Sequence, residues 1–330
     1  MGLSACGADD EQKVDDAIDI ALSYLTTGDC QRAINVLEDV GRQPEHYRYV
    51  KTLATAYACR GGYLTTKFFE DDLAKVNPAP ATGALLNTFA LFSTSSSMES
   101  SDDPDYEDLL EAINILLFAG GITTDKNPTS ARRLNYFSAE QVSNMNMLLL
   151  YLSFVELGKY VYFYGSANAA GVKGAKTGAV NSCFLNYTGD GGAGSITLTG
   201  GVANLDLYLA ANGGACGSTG TDATSTDLGN PFLGSEGNLN ISRVCQGVVL
   251  LNTFLDSLAN VVDQLSGADF GSLDGAKSAI DTLKSAVVIA YPAAADAVIV
   301  QSQELCESIY AGDTDALEVY FAFFFEGLFQ

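Results

Sequence analysis

The chain of 330 residues has no tryptophan and a single histidine, His46, and its charged residues amount to only 17 %, below the usual quarter. Each scarcity removes a class of chemistry. A Ser-His-Asp or Cys-His mechanism would have to run through His46. That residue sits in Gln43-Pro44-Glu45-His46-Tyr47, between two expected helices, and reads as a solvated interhelical histidine. With one histidine and no Cys-x-x-Cys pair, the clustered ligands of a structural zinc are missing. Gly-rich runs such as Gly189-Asp190-Gly191-Gly192-Ala193-Gly194 lack the Gly-Lys-Ser/Thr ending of a phosphate loop. They also lack the strand–turn–helix context of a dinucleotide fingerprint, so they read as turns.

Positive charge is scarce as well: 17 basic residues face 40 acidic ones, for a net charge of −23. A field of that sign repels phosphate backbones and anionic headgroups. It excludes nucleic acid as a partner and disfavours direct adsorption to a membrane surface. We read the acidity as serving solubility, with a cationic partner as the second reading. Long apolar runs are missing too. The most apolar stretch, residues 147–164, is interrupted by Glu156, Gly158 and Lys159 and reads as a buried core helix.

Carboxylates are abundant, and the run from Ser100 to Asp108 has the oxygen density that calcium prefers. It lacks the EF-hand glycine and glutamate spacing, and reads first as an acidic helix start. Asp190, Asp206, Asp222 and Asp227 offer a second, weaker calcium possibility. Neither a catalytic residue nor a cofactor is expected, and the chain is read as a non-enzyme.

Apolar residues make up 47 % of the chain, enough for a sizeable core in one large domain or two smaller ones. Seven cysteines are present: Cys6, Cys30, Cys59, Cys183, Cys216, Cys245 and Cys306. An odd count leaves one thiol over in an exported protein. Leu3-Ser4-Ala5-Cys6 resembles the lipobox of bacterial lipoproteins, an aliphatic residue and two small ones before the cysteine that receives lipid. The charged and apolar regions of a signal peptide do not precede it, so Met1-Gly2 reads as an artificial or misassigned start. The resemblance implies lipidation at Cys6 and export. Gly7 in place of aspartate points to the periplasmic face of the outer membrane, or the cell surface, with membrane contact through the lipid alone. Six cysteines then remain, with fifteen possible pairings. The preferred set is Cys30–Cys59, Cys183–Cys216 and Cys245–Cys306, each closing a loop worth about 3–4 kcal/mol in an oxidising compartment.

Four regions follow. Residues 1–13 are the lipobox remnant and an acidic tether, 14–164 a helical region, 165–240 a loop insertion, and 241–330 C-terminal helices on the same core. Val14, Ile18, Ala21, Leu22 and Leu25 mark one helix face, and Gly28-Asp29 ends that helix and caps the next. Ala33, Ile34, Leu37 and Val40 form the second stripe, closed by Gly41 and Pro44. Gly28-Asp29-Cys30-Gln31-Arg32-Ala33-Ile34, with Leu37 and Pro44, resembles a tetratricopeptide repeat. Leu53, Tyr57 and Gly61 resemble a second partial copy, 33 residues on against a period of about 34. That copy departs at Lys67-Phe68-Phe69, which offers no small residue where Ala33 would recur. Gly312-Asp313-Thr314-Asp315-Ala316-Leu317 is a shortened third echo. Ordinary antiparallel helix hairpins are the alternative and give a similar fold.

Further helices are predicted over residues 83–92, 105–118, 138–164, 242–265, 273–290, 294–310 and 314–328. Ser138 and Gln141 have capping-box spacing ahead of the long apolar helix. Residues 165–240 are rich in Gly, Ala, Ser, Thr and Asn, with short strands or an extended loop predicted at 195–199 and 203–209. Cys183 and Cys216 would staple this insertion. The almost wholly apolar end, residues 320–329, must dock inside the fold or on a partner. The expected fold is all-α: tetratricopeptide-like hairpins or an α-solenoid with one long loop insertion. Such folds make concave surfaces for partner proteins. The resemblances therefore imply a periplasmic, lipid-anchored scaffold or adaptor in a cell-envelope assembly. The alternative is a ligand-binding accessory lipoprotein of a periplasmic transport system. An open concavity would favour the first, and an enclosed pocket with convergent polar groups the second.

Overall fold

The computed structural model describes residues 6–75, 85–176, 183–185, 187, 196–199, 201–203, 205, 209, 228, 239–264, 271–312 and 314–328. The first apolar stripe becomes α1, Cys6–Thr26. It starts ahead of Val14, so the acidic run read as a tether forms the helix's opening turns. An acidic stretch without proline suits a helix N-terminus, where negative charge meets the positive end of the macrodipole. Gly28 takes φ 75° in the turn that follows. Asp29 then caps α2, Cys30–Asp39, by accepting from the Arg32 N–H at 3.4 Å. His46 caps α3, Tyr47–Arg60, through Nδ1, which accepts from the Tyr49 N–H at 3.2 Å. These three helices share a small core that includes Ile18, Ala33, Leu37, Tyr49 and Leu53.

The consecutive packing stops there. After α3 come a single turn, α4 (Thr65–Lys67), and a π-helical turn over Phe68–Asp72. Phe68 is buried against Phe92, Tyr151 and Phe154. A bulky anchor thus occupies the place where a second repeat would need a small contact residue. Next are α5 (Leu85–Ala90), α6 (Pro104–Leu117, capped by Asp103 with Pro104 in its first turn), and the short α7 (Ser130–Arg133). Then comes α8, Ala139–Tyr164, whose Ser138–Gln141 capping box is fully formed. The remaining described helices are α9 (Ile241–Gln264), α10 (Gly271–Ala290), α11 (Gln303–Tyr310) and α12 (Asp315–Tyr320). A π-helical turn, Phe321–Glu326, continues α12.

α8 is the centre of the larger core, with α5, α6 and α9 packed on it. Two glycines permit this closeness. A Cβ on Gly158 would stand 2.7 Å from the Phe89 carbonyl oxygen, and one on Gly247 would stand 2.5 Å from the Tyr160 hydroxyl. α9 has the length and apolarity of a membrane span, but 78 % of that window is buried inside the fold.

Two predicted elements differ from what forms. The helix expected over 294–310 is broken into a 3-10 turn, Pro292–Ala295, and α11. The Asn252 amide donates to the Ala297 and Val300 carbonyls at 2.8 Å, and Asn127 bonds the Ile299 carbonyl and the Gln301 N–H. These side chains satisfy backbone groups that a continuous helix would have paired. In the insertion, β1 (Ile196–Leu198) pairs antiparallel with β2 (Gly201–Ala203). β2 meets the second predicted strand only at Ala203, Leu205 and Leu209 within that strand are helical, and its other positions lie outside the described residues.

Cys30–Cys59 ties α2 to the end of α3, with Cα atoms 5.7 Å apart, and Cys245–Cys306 ties α9 to α11 at 5.8 Å. Cys183 is buried and disulfide-bonded. Cys216 lies outside the described residues.

Candidate binding cleft

α3 and α6 run antiparallel and approach closely at one end. There a Cβ on Gly61 would stand 2.7 Å from the Asp105 carbonyl oxygen, and Arg60 Nε donates to Asp108 at 2.6 Å. At the other end they part, and the space between them is a cleft of about 440 Å³. Its floor is apolar: Val50, Leu53, Ile115, Phe118 and Ile122, with Tyr49. Its rim is polar: Arg42, Gln43, Glu111, Asn114, Thr123 and Thr124. The α2–α3 loop forms one wall. That loop is fixed by Gly41 at φ 80° and by the Gly120 N–H, which donates to the Pro44 carbonyl at 2.7 Å.

Arg42 spans the rim, 2.7 Å from Glu38 and 2.9 Å from Glu111, with its guanidinium over the Tyr57 ring. Burial disfavours this cation, but hydrogen bonds and charge from Glu111 and Glu38 outweigh it and hold Arg42 above its ordinary value. Beneath the rim, burial and the Glu38 charge push the Tyr49 hydroxyl up to about 12. It donates to the Leu37 carbonyl at 2.9 Å.

On the far side of the same loop lies a second cleft, of about 940 Å³, lined by Glu11, Lys13, Val14, Asp39, Val40, Glu45 and His46. Gln43 and Pro44 belong to both clefts. His46 therefore borders a cleft, with its Nε2 3.9 Å from Asp15. Its observed role is that of a helix cap.

The other residues singled out by sequence fall elsewhere. Among the described residues, none of the cysteines lines either cleft, and neither does α8 with its aromatics. Asp103 spends its side chain on capping α6, and Asp102 pairs with Arg243 at 2.6 Å. Among the described residues no group of three or more His, Cys, Asp or Glu could hold a metal. Asp190, Asp206, Asp222 and Asp227 lie outside the described residues.

Sequence reasoning missed a set of buried charges. Arg133 is only 1 % exposed, donates to the Pro128 carbonyl at 2.6 Å and to Asn146 at 2.7 Å, and burial lowers it to about 10. Lys159 donates to Ser97 at 2.7 Å. Lys173 pairs with Glu326, whose other oxygen accepts from the Phe184 N–H at 2.7 Å and the Tyr187 hydroxyl at 3.0 Å. Glu156 is fully buried, and among the described residues neither of its oxygens has a hydrogen-bond partner. These groups shape the core. The clefts are two concavities of the described surface.

No family model, curated protein or solved structure matches the chain.

Proposed function

We propose that the protein is a lipid-anchored scaffold or adaptor of the bacterial cell envelope, and that a protein partner docks in the clefts flanking the α2–α3 loop. The observation that carries the reading is the open, apolar-floored cleft between α3 and α6, rimmed by polar side chains. An apolar floor with a polar rim is the anatomy of a protein-recognition site. The lipid anchor rests on the resemblance of Leu3-Ser4-Ala5-Cys6 to a lipobox, and the disulfides suit an oxidising compartment.

A photo-crosslinking residue at Asn114, on the rim, tests the docking in intact cells, against one at Ile289, which is 70 % exposed and outside both clefts. A discrete adduct from position 114 and none from 289 is the expected result. Equal adducts at both, or none at 114, overturn the assignment. Intact mass of the precursor expressed in a Gram-negative host tests the anchor. A mature chain starting at an acylated Cys6 is expected, and an unmodified Cys6 removes the membrane tether.

A further inference from the structure

Resting on that reading, we infer that the occupant is an extended, basic segment of the partner, carrying an apolar side chain flanked by lysine or arginine. The apolar floor at Val50, Leu53 and Ile115 takes the anchor. Across Gln43 and Pro44, the adjoining cleft presents Glu11, Asp39 and Glu45, all exposed, against Lys13 alone. Local cations do not cancel that acidity. Arg42 is committed to Glu38 and Glu111, and Arg48 to Asp15 and Asp19. The net charge of −23 steers a cationic segment toward the surface, and the clefts give it a place where charge and an apolar anchor are satisfied together. The rim amides argue for extended backbone. Asn114 is exposed, and among the described residues Gln43 uses only its Nε2, on the Val40 carbonyl at 3.4 Å. Amides offer both donors and acceptors, which suit the unpaired main chain of an extended segment and find no use on a helix whose main chain is already paired.

The test is fluorescence anisotropy on the full oxidised chain with three labelled ten-residue probes: alternating leucine and lysine, leucine and serine, and leucine and glutamate. The leucine–lysine probe is expected to bind, and to bind more weakly as salt rises. The variant D39N/E45Q is expected to weaken it about fivefold, the effect of two rim charges. The matched variant E70Q/D71N removes the same charge at exposed positions outside both clefts. It is expected to leave binding within about twofold, because only long-range steering is lost. Equal binding of the serine or glutamate probe, or equal weakening by the two variants, overturns the inference. So does a dimer in sedimentation equilibrium that D39N/E45Q dissolves, since the clefts would then be filled by a second copy. An adduct from position 114 without lysine-probe binding refutes this occupant and leaves the docking site standing. Probe binding without an adduct does the reverse.

Discussion

Glu156 shows how much one side chain can set the response of the whole molecule to pH. It lies within α8, fully buried, and burial pushes its carboxyl well above the usual carboxylate range. Lys159, one helical turn on, favours the charged form, while Glu107 and Asp103 oppose it, and the balance remains toward the neutral acid. Tyr106 faces it from α6. A carboxyl that keeps its proton in the fold but releases it when unfolded stabilises the protein fully at pH below about 4.5. That contribution is lost as pH rises toward the folded value. E156Q, neutral at every pH, is therefore expected to melt higher than the parent at pH 8 and to converge with it near pH 5. Melting curves across that range check this, and a constant difference between the two proteins would refute it. The sequence marked residues 147–164 as a core helix because the apolar run was long, and its charged interruptions revealed no partner. Arg133 gave no signal, since it stands in a polar connector and its partners Pro128 and Asn146 are set by packing.

Among the elements, the helices written most strongly in local chemistry were the easiest to read. The Ser138–Gln141 capping box, the Asp29 cap and the acidic start of α6 all form, because each depends on residues within one turn. The break at residues 296–302 was illegible for the opposite reason. Asn252 and Asn127, which hold it open, come from distant parts of the chain. The cleft was no easier to see, since it depends on how α6 lies against α3 and leaves no trace in the periodicity of either. Helix-to-helix distance is likewise a tertiary property, and Gly158 reports it. Alanine there would gain about 1 kcal/mol in helix propensity. Its Cβ would also stand 2.5 Å from Ser95 Oγ and 2.7 Å from the Phe89 carbonyl oxygen, and overpacking of that kind costs about 1–3 kcal/mol. Because one clash is with backbone, the cost should win. G158A is expected to lower the denaturation midpoint with an unchanged slope, and a more stable variant would show that α5 can yield.

At the scale of the molecule, the end of the chain is held to the segment after α8 by the buried Lys173–Glu326 pair. Removing one member leaves a buried charge uncompensated, at a cost of about 3–5 kcal/mol. K173M is expected to lose that much in chemical denaturation, and K173M/E326Q to recover part of it. A double variant no better than the single would place the loss in packing. Elsewhere the fold is two cores of unequal size, with Tyr57 and Ile115 touching both. The cleft between α3 and α6 lies along this seam. Cys30–Cys59 ties α2 to the end of α3, and Val50, Ala54 and Ala58 of that same helix are buried in the larger core, so α3 is a wall that both cores hold in common. Arg42–Glu111 crosses the cleft at its rim. The floor of the cleft is thus anchored by both cores at once, while the surface ion pair across its mouth weakens as salt rises.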